Sequence, residues 1–180
     1  HALLDELDMD GATLVTRRTL SLASDPWIVD HAIDGKPVLP GVIGLELMAA
    51  TAALALPGRS YCGASDVVFK APVKLHGDAP TTLIIRAEPE GEDRVRCSLS
   101  SERSSRTGRL ILTDHFEATI HWASPAIDVL PAMALPDHLV DAQAIYERFF
   151  HGPGFQVLQQ ATAVSAGALM ADAVVQHAAI

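Results

Sequence analysis

The sequence is poor in aromatic residues and cysteine and contains no run of basic residues. Aromatic residues make up 5% of the 180 residues and hydrophobic residues 49%, so small and aliphatic side chains must fill the core. Two cysteines, Cys62 and Cys97, are too few for a disulfide framework, which favours a reducing, cytoplasmic location. The formal net charge is −9, and with no basic cluster we expect no nucleic-acid binding. An acidic partner would have to dock on a local basic patch.

Long apolar runs and metal-ligand spacings are also missing. The apolar segment 41–56 is shorter than the ~20 residues that a membrane span needs. The first residues show no basic region followed by an apolar run, so we expect neither a membrane segment nor a signal peptide. The histidines outside the central motif have no ligand spacing with one another, so we expect no metal site. These are His76, His115, His121, His138 and His177.

The hydrophobic pattern up to residue 122 predicts an α+β fold. Residues 13–22 favour a strand, and segment 41–56 is apolar on nearly every face, which predicts a fully buried helix. Turn-rich segments then separate further strands, predicted at 65–75, 81–88, 94–101 and 109–122. A strand, a buried helix and an antiparallel meander predict a curved antiparallel sheet wrapped around one central helix.

The remaining residues have a different character. Residues 123–141 contain three prolines and no clear period, which predicts a linker. Residues 142–150 favour a short helix, and residues 157–165 and 169–176 favour two more strands. We therefore predict three parts, at 1–122, 123–141 and 142–180.

The most informative stretch runs from Asp30 to Ala50. A histidine, His31, is followed by a tight segment with Gly35 and Pro40 and then by the apolar helix pattern. A helix N-terminus offers unpaired N–H groups to a developing negative charge, so a histidine brought to this end has the geometry of a site.

His31, Gly35 and Pro40 match the HxxxGxxxxP motif of polyketide synthase dehydratase domains, and the chain resembles that family. Residues 41–48 are similar to the central helix of bacterial 3-hydroxyacyl-carrier-protein dehydratases, which have the hotdog fold. Residues 151–156, HGPGFQ, resemble the YGPxFQ segment that opens the second half of the double-hotdog dehydratases. The resemblance implies a first hotdog over 1–122 and the incomplete start of a second over 142–180.

The resemblance implies dehydration of a 3-hydroxyacyl thioester on an acyl carrier protein to the trans-2-enoyl thioester. This reaction needs a base for the α-proton, an acid for the departing hydroxyl and donors for the thioester carbonyl. His31 would be the general base, since imidazole titrates near pH ~6.5. The Gly41 N–H would bind the carbonyl. The remaining residues expected at the substrate are Gly35, Pro40, His151 and Phe155, with His151 standing where the family commonly has tyrosine.

The resemblance suggests two positions for the acid. Glu46 stands where single-hotdog enzymes keep an acid that serves the histidine of the other hotdog, so it would act in trans. The family's second-half aspartate belongs to a DxxxQ or DxxxH motif. Asp172 and Gln176 match DxxxQ literally, but they lie in an apolar run of strand character, so we do not assign Asp172. The fragment by itself would then be inactive even if the protein that contains it is active.

The resemblance implies no metal or redox cofactor, because the phosphopantetheine arm arrives with the substrate. It implies an acyl carrier protein and other domains of a multidomain synthase as partners. The apolar face of the predicted strands in 157–176 has no central helix to cover it, which predicts a homodimer of the isolated chain. Two alternatives stay open. One is a non-catalytic hotdog domain with a structural role, and the other is an isomerase, thioesterase or product-shaping cyclase on the same fold. An assay on a 3-hydroxyacyl thioester distinguishes them.

Overall fold

A computed structural model describes residues 3–77, 79–104, 108–122, 139–165 and 168–174. Two helices and eleven strands follow one another along these residues. In chain order they are β1 (Glu6–Asp10), β2 (Thr13–Leu20), β3 (Ala32–Ile33), β4 (Lys36–Pro37), α1 (Gly41–Ala55), β5 (Gly63–Phe69), β6 (Thr81–Pro89), β7 (Arg94–Ser104), β8 (Leu110–His121), β9 (Val140–Asp141), α2 (Ala142–Tyr146), β10 (Leu158–Ser165) and β11 (Ala168–Ala173). Short 3₁₀ helices span Pro26–Asp30 and Pro153–Phe155.

A six-stranded antiparallel sheet carries the main helix. Its strand order is β1-β2-β6-β7-β8-β5, and α1 packs against β2, β6, β7 and β8. A three-stranded sheet, β11-β10-β9, and the small hairpin β3–β4 complete the structure. The predicted α+β architecture, an antiparallel sheet on one central helix, is therefore confirmed.

The core lies between α1 and the large sheet. Leu47 and Met48 of the helix are buried against sheet residues such as Leu83 and Leu99. Glycine allows the close approach of the two layers, since a Cβ at Gly44 would lie 2.3 Å from a ring carbon of Phe116.

One polar contact crosses the core. The Thr51 hydroxyl donates to the Leu47 carbonyl at 2.9 Å, so the Thr16 hydroxyl, at 2.7 Å, must donate to Thr51 Oγ1. Both threonine side chains are buried, and a buried hydroxyl without a partner would be costly. This bond therefore ties the helix to β2 without leaving a polar group unpaired.

The prediction of a fully buried helix is wrong for one face of α1. Val42 is 69% exposed, and Glu46 and Leu54 are also exposed. These residues follow one another at multiples of four positions, so they lie on the same side of the helix. The sheet covers the opposite side, and none of the described residues buries this one. An apolar pattern alone does not tell which element covers each face.

The predicted strand 65–75 is too long, because the structure ends β5 at Phe69. The residues that follow leave the sheet and pair with the segment before α1. The Leu39 N–H donates to the Val73 carbonyl at 2.9 Å, and the Leu75 N–H donates to the Pro37 carbonyl at 2.9 Å. Pro72 has no N–H for a ladder, which favours this departure.

The other predicted elements are found with shifted ends. The first strand and those around 81–88, 94–101 and 109–122 correspond to β2, β6, β7 and β8. The predicted helix 142–150 is shorter, Ala142–Tyr146, and β1 was not anticipated from the pattern. Most of the predicted linker, residues 123–138, lies outside the described residues.

The described residues lack two features. None of their helices has the length and apolar character needed to cross a membrane. No group of three or more His, Cys, Asp or Glu side chains among them has an arrangement able to hold a metal ion.

The two cysteines differ in environment. Cys97 is a core residue, 1% exposed, whereas Cys62 is half-buried. Burial raises the pKa of the Cys97 thiol to about 12, so it stays protonated near neutral pH.

We expect iodoacetamide at pH 8 to alkylate Cys62 and to spare Cys97 until denaturant is added. Peptide mass spectrometry checks this, and equal labelling of both thiols in the native protein would contradict it.

Candidate active site

His31 is placed by a hairpin that its own segment builds. β3 and β4 pair across a two-residue turn formed by Asp34 and Gly35, whose φ angles are +51° and +70°. Positive φ at both positions defines the type I′ turn, for which Asp-Gly is a favoured sequence. His31 and Val38 stand at the open end of this hairpin, where the Val38 N–H donates to the His31 carbonyl at 2.9 Å.

The same hairpin fixes the protonation pattern of the His31 ring. Nδ1 lies 2.8 Å from the Val38 carbonyl oxygen. Because a carbonyl oxygen can only accept, Nδ1 carries the hydrogen, and in the neutral imidazole Nε2 holds the free lone pair. His31 therefore has one nitrogen used for orientation and the other available as a proton acceptor.

His31 and Gly41 line one cavity of about 360 Å³. Gly41 is the first residue of α1, so its N–H is among the groups that the helix leaves without an intrahelical partner. A Cβ at position 41 would lie 2.8 Å from a ring carbon of Phe69, so glycine is required for the ring to lie against the helix end. Phe69 packs edge-on against Phe116, 5.0 Å between ring centroids, and both rings line the cavity.

The charge inside this cavity is already neutralised. Its one charged side chain among the described residues, Lys70, is paired with Glu117. None of the described residues that line the cavity is Asp or Glu. The cavity therefore brings an imidazole and a helix N-terminus together with no carboxylate among its described lining residues.

The HGPGF segment lies on another side of His31. A backbone bridge joins His31 and His151. The ring centroids of Phe150, His151 and Phe155 are 5.0, 5.4 and 5.7 Å from that of His31. His151 also stacks on Phe150 at 4.5 Å. The structure thus brings both predicted second-half residues, His151 and Phe155, to the histidine.

Asp30 holds this segment in place. Its carbonyl accepts from the Gly152 N–H at 2.6 Å, and its Oδ2 accepts from the Gly154 N–H at 3.0 Å. A Cβ at Gly152 would lie 2.4 Å from Asp30 Oδ1 and 2.8 Å from Asp30 Cα, so only glycine fits. The sequence analysis missed Asp30, and the available signals were its position before His31 and the paired glycines around Pro153.

The other predicted site residues are placed as follows. Pro40 is buried directly before α1, and its carbonyl accepts from the Ile43 and Gly44 N–H groups, both at 3.1 Å. Gly35 is exposed at the hairpin tip, and a Cβ there would meet nothing within 4 Å. Glu46 is exposed on α1 and does not line the His31 cavity. Their roles in binding and catalysis stay predictions. Asp172, left unassigned, lies on strand β11.

Comparisons with known proteins identify relatives of this chain. The profile of the family described as polyketide synthase dehydratase domain matches residues 1–102. Polyketide synthase GfsE of Streptomyces halstedii is 31% identical over 175 residues, covering 89% of this chain. A polyunsaturated fatty acid synthase from Thraustochytrium sp. is 24% identical, covering 88% of this chain. The chain spans only 4% and 6% of these two relatives.

Solved structures match the fold. The dehydratase domain of the polyketide PpsC from Mycobacterium tuberculosis superposes with a TM-score of 0.76 at 23% identity, covering 96% of this chain and 63% of that one. A trans-AT polyketide synthase dehydratase domain from Brevibacillus brevis gives 0.77 at 22% identity, covering 97% and 68%. These similarities confirm the predicted hotdog fold. By its profile match, the chain belongs to the polyketide synthase dehydratase domain family.

The contact between Asp30 and Gly152 is open to test by titration. The pKa of His151 is lowered by burial and by the neighbouring His31. We expect Gly152→Ala to push residues 151–155 away from Asp30 and to raise the His151 pKa toward its ordinary value. NMR titration of the His151 ring measures this, with Gln143→Ala on the exposed face of α2 as control. An unchanged His151 titration in Gly152→Ala would contradict the packing argument.

The lowered pKa of His151 also makes the free energy of unfolding depend on pH. A histidine whose folded pKa is lowered binds its proton more readily in the unfolded chain. The contribution of the neutral His151 is therefore complete above the unfolded pKa of about 6.5 and is lost as the pH falls through the lower folded value. His151→Phe keeps the aromatic contact, so we expect a weaker loss of stability in urea unfolding between pH 7.5 and pH 5.

Proposed function

We propose that the chain supplies the histidine part of a dehydratase site that acts on a 3-hydroxyacyl thioester carried by an acyl carrier protein. The product would be the trans-2-enoyl thioester, which makes the enzyme a hydro-lyase. The observation that carries the proposal is the His31 ring, with Nδ1 bound to Val38 and Nε2 available, beside the N-terminus of α1. Membership of the dehydratase family supports it independently.

In the proposed reaction His31 acts as the base and the Gly41 N–H as the hydrogen-bond donor to the thioester oxygen. Nε2 of His31 takes the α-proton, and the electron pair left on the α-carbon moves toward the thioester oxygen. The N–H at Gly41 donates to that oxygen as it becomes negative, in a cavity whose apolar rings strengthen the interaction. The electrons then return to form the α–β double bond while the β-hydroxyl leaves as water with one added proton.

The proton for the leaving hydroxyl needs an acid that this cavity lacks among its described residues. Glu46 is a candidate in trans, because it is exposed on the uncovered face of α1 and a second copy of the chain can approach it. We therefore propose a homodimer for the isolated chain. In the cell we propose that the chain works with an acyl carrier protein and other domains of a multidomain synthase in the cytoplasm. The phosphopantetheine arm would be the only prosthetic group involved.

Removing the imidazole tests the proposed base. We expect His31→Ala in the intact protein to lower turnover of a 3-hydroxyacyl thioester by about 10²- to 10⁴-fold, the usual contribution of a general base. The melting temperature should change little, since His31 is only half-buried. His121→Ala, at the end of β8 and outside the cavity, is the matched control.

The product decides between the open alternatives. Mass and ultraviolet spectra distinguish an enoyl thioester from a shifted double bond, a free acid or a ring. Undiminished dehydration by His31→Ala would rule out His31 as the base. Complete inactivity of the unaltered intact protein on every 3-hydroxyacyl thioester tried would favour the non-catalytic alternative.

The uncovered apolar residues predict association of the isolated 180-residue chain. Val42 and Leu54 on α1 are exposed, as is Leu169 on β11. Exposed apolar patches usually mark an interface. We expect light scattering to show a mass above that of the monomer. Val42→Lys should reduce this mass, whereas Leu112→Lys, at an exposed position of β8, should not. A monomer at all concentrations would contradict the proposed homodimer.

A further inference from the structure

The lysines and arginines without a partner share one region of the molecule. Among the described residues, Lys36, Lys74 and Arg103 make no ion pair or side-chain hydrogen bond. The other described cations have partners. Examples are the pairs of Arg18 with Asp25, Arg59 with Glu92, Lys70 with Glu117, Arg86 with Asp10 and Arg96 with Glu88. All three are exposed, so their charges are open to an anion from outside in a chain that is otherwise acidic, with 22 acidic and 13 basic residues.

Two of these cations, Lys74 and Arg103, line one cleft, which we call the Lys74–Arg103 cleft. It consists of two adjoining cavities of about 320 and 530 Å³ that share His76, Thr81 and Arg103 as walls. Lys74 lines the first cavity. Glu102, on the second, is the one acidic side chain among the described residues that line either cavity. Lys36 lies on β4, whose Pro37 carbonyl binds the Leu75 N–H, so it stands next to the cleft.

The inner wall of the cleft is buried, hydrogen-bonded and neutral. His115 Nδ1 lies 3.0 Å from the Ala71 carbonyl, so it donates there, and Nε2, 2.8 Å from Ser101 Oγ, accepts the hydroxyl hydrogen. Both side chains are buried. Burial lowers the pKa of His115, which keeps the ring neutral at physiological pH. The positive charge of the cleft is therefore that of Lys74 and Arg103.

The cleft adjoins the His31 cavity. Pro72 lines both cavities. Ala71 lines the His31 cavity, and its carbonyl holds His115 on the cleft side. A long ligand can thus lie with one end in the cleft and the other beside His31 by passing over Pro72.

We propose that the Lys74–Arg103 cleft binds the phosphate of the pantetheine arm while the thioester end of that arm lies beside His31. The proposal rests on the proposed function, because it takes the substrate to be carried on such an arm. The guanidinium of Arg103 offers paired donors that fit phosphate oxygens, and the Lys74 ammonium adds a compact charge. Thr81 is half-buried, lines both cavities and adds a hydroxyl group.

Calorimetric titration of the intact protein with 4′-phosphopantetheine and with pantetheine tests the cleft directly. The two probes differ only in the phosphate. We expect phosphopantetheine to bind at least about tenfold more tightly, which is the value of one charge-assisted hydrogen bond. Inorganic phosphate should compete with phosphopantetheine and not with pantetheine. Added salt should reduce the difference between the two probes.

Charge reversal identifies the residues. In the double variant Lys74→Glu/Arg103→Glu the affinity difference between the probes should disappear. Arg59→Glu introduces the same kind of charge change at a distant surface pair, Arg59 with Glu92, and should keep the difference. Thermal melting of each variant confirms that it is folded. A wild-type protein without any phosphate-dependent difference in affinity would overturn the proposal, as would an equal loss in Arg59→Glu.

The binding test of the cleft and the dehydration assay can succeed or fail independently. If the phosphate-dependent affinity is found and lost on charge reversal, the cleft stands even if no 3-hydroxyacyl thioester is dehydrated. If dehydration is found and the phosphate makes no difference to binding, the reaction stands and the cleft proposal is overturned. With an active protein, the charge-reversed variant should also show a raised KM for the phosphopantetheine thioester and an unchanged KM for the pantetheine thioester.

Discussion

The pairing of His31 with Val38 across the Asp34–Gly35 turn is the constraint on which the candidate site depends. The two-residue turn fixes the register of the hairpin, so that His31 lies opposite Val38. The second turn residue, which needs a positive φ, is then the fourth residue after the histidine, and this explains the spacing between histidine and glycine in the motif. The Val38 carbonyl then orients the imidazole and fixes its tautomer. Since Pro40 stands two residues after Val38 and α1 begins at the next residue, the same short segment also brings the helix N-terminus to the ring.

Close approaches at glycine build the rest of the site. Gly41 admits the Phe69 ring, Gly44 admits Phe116, and Gly152 admits Asp30, each at a distance that a Cβ would block. These contacts join elements from different parts of the chain, so tight packing rather than backbone conformation requires glycine there. Gly35 differs, because its surroundings are open and its positive φ is the reason for glycine.

Although the protein is acidic, it has one cleft where cations without a carboxylate partner lie together. Most described cations are matched with neighbouring carboxylates, and those left over, Lys74 and Arg103 in particular, face a shared cleft. That cleft and the His31 cavity lie on either side of residues 71–74. The long-range field of the chain would repel an acidic carrier protein, and in the proposal a local pair of cations holds the carrier's arm in spite of that field.

The sequence by itself determined the elements and the motif, because periodicity and turn chemistry act over a few residues. It predicted the central helix, the strands β2, β6, β7 and β8, and the association of His31 with the start of α1. The tertiary structure decided which face of α1 stays uncovered and where residues 71–75 pair. It also decided that Asp30 meets Gly152 and Gly154, and that Lys74 and Arg103 share a cleft. These contacts join residues far apart in the chain, so they depend on the path of the backbone through space, which no local pattern encodes.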